Sequence, residues 1–67
     1  MSITPYSADV RVVNYGNPFV QDDIVVEERT EGQWQRVMAF NSLSNDYAYT
    51  EARDFARNLA TQLLGQA

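Results

Sequence analysis

Apolar residues recur at helical spacing from Asp46 to Leu64, and three short β-type runs precede them: Asp9–Tyr15, Ile24–Thr30 and Gln33–Phe40. The β runs are rich in valine, isoleucine, tyrosine and phenylalanine and are separated by turn residues. Gly16-Asn17-Pro18 stops the first run, and Phe19 is expected to anchor the connection that follows to the core. Residues 1–8 read as an N-terminal tail, because Pro5 and Ser7 interrupt any regular pattern. The expected fold is α+β, βββα: a three-stranded antiparallel sheet over 9–40 with one C-terminal helix over 46–64 packed on one face, all within a single small domain.

Glu31-Gly32 fits a two-residue hairpin turn, with glycine supplying positive φ. That turn sets a register: Arg29 opposite Trp34, Glu27 opposite Arg36, Val26 opposite Val37 and Val25 opposite Met38. Ser44, Asn45 or Asp46 can cap the helix, with Thr50 as a later alternative. On a helical wheel Ala48, Ala52, Phe55, Ala56, Leu59 and Leu63 share one stripe, and Gly65 fits a C-terminal stop.

The register divides the sheet into two faces. Val25, Trp34, Met38 and Phe40 suit the core under the helix, with Arg29 and Arg36 snorkelling outward at its edge. Ile24, Val26, Val37 and Ala39 share the other face, with Glu28 and Gln35 toward the turn, joined by Val10 and by Val12 or Val13. One helix covers only one face of a sheet, so an apolar face is left over, and such a surface tends to mark an interaction site. The reversed assignment exposes Trp34, Met38 and Phe40 instead. In a third arrangement the tail around Tyr6, or Phe19 and Val20, folds over the spare face.

Composition removes many chemistries. The chain has 67 residues, no cysteine and no histidine, and its five bases are all arginine. Disulfides, thiolate or imidazole metal sites and a lysine Schiff base are therefore excluded. Serine and threonine have no imidazole or amine to activate them. The carboxylates Asp22, Asp23, Glu27 and Glu28 remain, but neighbouring strand residues point to opposite faces, so Glu27 and Glu28 do not converge. Asp22-Asp23 lacks the spacing of a calcium loop. No catalytic residue, metal or cofactor is expected. The net charge of −4 and pI near 4.4 disfavour sequence-independent nucleic-acid binding and docking on anionic lipid. No apolar run is long enough to span a membrane. Met1–Tyr6 has neither the basic nor the apolar region of a signal peptide, so a cytoplasmic location is the expectation.

Two surfaces emerge as candidates. The first is a protein-binding surface of Asp22, Asp23, Ile24, Val26, Glu28, Gln35 and Val37. An acidic rim (Asp22, Asp23, Glu27, Glu28, Glu31) would speed encounter with a basic partner surface. The same face could instead close a homodimer. The second is a nucleic-acid platform of Arg11, Arg29, Trp34 and Arg36, since arginine and aromatic side chains on a sheet face can stack on bases.

Gly32-Gln33-Trp34, then Ala39-Phe40-Asn41-Ser42, then Thr50-Glu51-Ala52 with Ala56 and Leu59-Ala60, resembles a recurrent sheet–helix pattern. It occurs in three-stranded DNA-binding domains of the plant and phage-integrase arm-binding types, and the likeness spans residues 24–60. Those domains carry a basic strand face. Here the matching strands hold Glu27, Glu28 and glutamines, so DNA binding does not carry over. In size, acidity and lack of catalytic side chains the chain also resembles small accessory proteins of bacteriophages and prophages, anti-CRISPR proteins and inhibitors of host polymerases among them. That resemblance implies a non-catalytic protein that blocks a host factor through surface contacts, and it designates no residues.

Overall fold

The computed structural model describes residues 1–66. It contains a four-stranded antiparallel sheet in the order β1 (Ser2–Ser7), β2 (Val10–Asn14), β3 (Ile24–Thr30) and β4 (Gln33–Phe40), followed by the helix α1 (Ala48–Gly65). The sheet thus has four strands where the sequence pattern predicts three. The segment expected as a tail is β1, which pairs with β2 from Ser2↔Asn14 to Ser7↔Val10. Proline is tolerated there because β1 lies at the sheet edge. A register shift between Pro5 and Ser7 accommodates Tyr6, which packs against the core.

The β3–β4 hairpin turns at Glu31 (φ 54°) and Gly32 (φ 80°). Positive φ at both central residues is the type I′ geometry that matches strand twist. From this turn the register runs as expected through Arg29↔Trp34 and Glu27↔Arg36. It then shifts by one residue, so that Val26 faces Met38, Val25 faces Ala39 and Ile24 faces Phe40. Val37 is the extra residue of a β-bulge. The predicted pairs Val26–Val37 and Val25–Met38 are therefore corrected, and the four residues expected together under the helix are split. Met38 and Phe40 lie on the helix side with Val26 and Ile24, whereas Trp34 and Val25 lie on the opposite side.

The core joins Val10, Val12, Ile24 and Val26 of the sheet to Ala48, Ala52, Ala56 and Ala60 of the helix. Tyr6, Phe40, Phe55, Leu59 and Leu63 flank it. Alanine at every fourth position lets the helix backbone lie close to the sheet, and the valines fill the space between. Asn45 prepares the helix start: its side-chain oxygen accepts from the Tyr47 N–H at 2.9 Å, and its amide donates to Glu51 Oε2 at 3.0 Å. Gly65 is the last helical residue and lacks the left-handed φ of the expected stop.

The β2–β3 connection is tied to the β4–α1 linker. Asn41 Nδ2 donates to the carbonyls of Pro18 (2.9 Å) and Gln21 (3.3 Å). Phe19 does not anchor this connection. Phe19 is 82% exposed and Val20 77% exposed, and the backbone N–H of Phe19 is held by Asn17 Oδ1 in a local turn.

Candidate functional site

No helix lies over the second face of the sheet. Strand pairing puts two rows of side chains across it. One row is Ile3, Val13, Val25 and Ala39; the next is Pro5, Arg11, Glu27 and Arg36. The pair Arg29↔Trp34 follows toward the hairpin turn.

Val13 and Val25 belong to this uncovered face, yet they are 1% and 0% exposed. Their cover is polar and aromatic. The Tyr15 N–H donates to the Asp23 carbonyl at 2.8 Å, which fixes Tyr15 beside the start of β3. Its hydroxyl donates to Glu27 Oε2 at 3.2 Å, four residues farther along that strand. To bridge that span, the tyrosine ring and the glutamate stem lie over the Val25 row between them. Burial raises the Tyr15 pKa above the usual 10.0, the nearby Glu27 charge raises it further, and Arg36 and Arg11 partly offset both.

Glu27 organises the face. It is 9% exposed, and its second oxygen, Oε1, accepts from Arg11 Nε at 2.7 Å. The Arg11 guanidinium extends across β3 to Trp34, its carbon lying 4.0 Å from the ring centroid. Arg29, directly opposite Trp34, lies 5.7 Å from the same centroid and donates through Nε to Asp9 Oδ1 at 3.1 Å. Arg36, the cross-strand neighbour of Glu27 on β4, is exposed. Among the described residues Arg36 makes no ion pair.

The result is a charge-polarised molecule. The uncovered face holds three arginines against two acids, Glu27 and Asp9, a net charge of one positive. The rest of the chain holds two arginines and seven acids, five negative.

The residues predicted to bind protein do not converge. Ile24 and Val26 lie buried under the helix, 3% and 0% exposed, because the helix packs on their face of β3 with Val10 and Val12; the bulge at Val37 then brings Met38 and Phe40 to that same face. Asp23 is also buried. Burial pushes its carboxyl up, but hydrogen bonds from the Ser42 hydroxyl (2.6 Å) and backbone N–H (2.9 Å) outweigh this and hold it below the ordinary value. Asp22 precedes β3, whereas Glu28, opposite Gln35, lies near its far end; six residues of strand separate the two acids by roughly 20 Å. Val37 is exposed at the bulge. By contrast Arg11, Arg29, Trp34 and Arg36 are brought together on one face. Sequence reasoning passed over Tyr15 as the cover of Val25. The alternation Arg11, Val13, Tyr15 through β2 and one residue past its end is the signal that places it there.

Two surface depressions elsewhere gather no reactive groups. One, of about 200 Å³, is lined by Ser7, Ala8, Asp9, Ala60, Leu63 and Leu64. The other, of about 260 Å³, is lined by Phe55, Asn58, Leu59 and Gln62. Among the described residues no three acidic side chains are grouped to hold a metal ion, and no helix is long and apolar enough to cross a membrane. No protein-family model, no curated protein and no solved structure matches the chain.

Proposed function

We propose that this chain is a non-catalytic protein-interaction module whose working surface is the uncovered sheet face centred on Trp34. The observation that carries the reading is the Arg11 guanidinium held 4.0 Å over Trp34 and anchored to Glu27, on a face that no helix covers. Tryptophan, tyrosine and arginine are the residue types that dominate binding energy in protein interfaces. Here hydrogen bonds already fix Arg11 and Tyr15, so little side-chain entropy is lost on binding. The resemblance to phage accessory proteins adds the expectation that binding blocks a host protein, in the cytoplasm.

The test is capture of partners from a host lysate by the wild-type chain, Trp34→Ala and a control on the outer helix surface, Arg57→Ala. Trp34→Ala is expected to lose the partner and Arg57→Ala to keep it. A partner retained equally by all three removes this face from the function.

A second reading, nucleic-acid binding, is favoured by the same grouping of Arg11, Arg29, Trp34 and Arg36. It predicts retention of single-stranded DNA on filters at low salt and loss of that retention in Arg36→Ala.

A further inference from the structure

We infer that the ligand of the Trp34 face is a carboxylate-rich stretch of polypeptide, a proposal that rests on the protein-interaction reading above. Guanidinium groups outnumber carboxylates on this face, and the deficit falls on Arg36. Its cross-strand neighbour Glu27 bonds to Arg11 and Tyr15 instead. Arg11 and Arg29 each reach their carboxylate through Nε, which leaves terminal nitrogens of both guanidiniums for an incoming acceptor. A carboxylate accepting from a guanidinium forms a charge-assisted hydrogen bond, stronger than a neutral one.

The spacing fits an extended peptide. Arg36 lies two residues along β4 from Trp34, about 7 Å. The Arg11 guanidinium lies over the Trp34 ring, so positive charge stands at both ends of that step. Side chains on one side of an extended chain also repeat every two residues, about 7 Å. A strand-like segment with alternating acids can therefore address Arg36 and a second arginine while its backbone passes Trp34.

Nucleic acid fits less well. Sheets that read single strands stack two or three bases on exposed aromatics. This face presents one indole, and a guanidinium already lies over its ring. Tyr15 is committed to covering Val25 through its bond to Glu27.

Trp34 is the only tryptophan in the chain, so its fluorescence reports directly from the site. The intact protein is titrated at low salt with poly-glutamate, poly-lysine and a single-stranded oligothymidylate. Poly-glutamate is expected to change the emission saturably and to lose affinity as salt is added. Arg36→Gln should weaken that binding about fivefold, and Arg57→Gln should leave it unchanged. No response to poly-glutamate, or a response indifferent to Arg36→Gln, overturns the proposal. So does tighter binding of the oligothymidylate, which would favour nucleic acid, or of poly-lysine, which would favour the acidic remainder of the surface. If lysate capture still depends on Trp34 while poly-glutamate fails to bind, the interaction module stands and only its ligand class falls.

Discussion

Arg11 reaches across β3 to lie 4.0 Å over the ring of Trp34, while its Nε remains bonded to Glu27 at 2.7 Å. One side chain thus links three strands on the face opposite the helix. The buried carboxylate orients the guanidinium, and the guanidinium in turn helps to hold the indole. Stability and the candidate binding surface therefore share the same residues.

Glu27 should be the costliest polar residue on this face to replace. Glu27→Gln removes the charge that holds Arg11 and weakens the acceptor for Tyr15. A loss of about 1.5–3 kcal/mol is expected, the range for hydrogen bonds to charged groups. Urea unfolding measures it, and a double-mutant cycle with Arg11→Met should show coupling between the two positions. Additive effects would mean that the pair contributes nothing as a pair.

The hairpin turn can be improved. Glu31 adopts φ 54°, a left-handed conformation that L residues adopt at a cost but asparagine tolerates. Glu31→Asn creates the Asn-Gly pair preferred in type I′ turns. Stability should rise by about 0.5–1 kcal/mol, seen as a higher urea midpoint with an unchanged slope.

Stability should fall at both pH extremes, for separate reasons. The Asp23 carboxyl is held below its ordinary 3.8 by Ser42 despite burial. Its contribution is present above the unfolded pKa and is lost as pH falls through the lower folded value. Asp23→Asn should flatten that acid limb of the urea midpoint against pH.

Tyr15 behaves in the opposite sense. Its folded pKa is raised above 10.0 by burial and by Glu27, so its contribution is present below that value and is lost as pH rises through the folded pKa. Spectrophotometric titration should show a tyrosine step above the ordinary 10.0, and Tyr15→Phe should remove it.

The alanine stripe sets the distance between helix and sheet. Ala52 and Ala56 are both 0% exposed. Ala56→Leu forces extra methylenes into a closed layer and should cost about 1–3 kcal/mol. The outward Arg57→Ala should change stability by no more than about 0.5 kcal/mol. Thermal unfolding of the two variants side by side checks the contrast.

Elements specified by neighbours in the chain were legible in the sequence. The alanine–leucine periodicity marks α1 and three of its buried alanines, Ala48, Ala52 and Ala56, with Ala60 missed, and Glu31-Gly32 marks the hairpin turn. That turn in turn yields the pairs Arg29↔Trp34 and Glu27↔Arg36 close to it. What lies farther from a local signal was decided by tertiary structure. Ser2–Ser7 becomes a strand only because the edge of β2 is available to pair with it, and Pro5 and Ser7 hide that pairing from a local reading. The bulge at Val37 is likewise invisible in the residue pattern, yet it fixes what each face can do. Strand side chains alternate with a period of two, so a one-residue shift transfers every later side chain to the other face. The residues before the bulge keep Trp34 and Arg36 with Arg11 on the uncovered side, and those after it send Met38 and Phe40 beneath the helix.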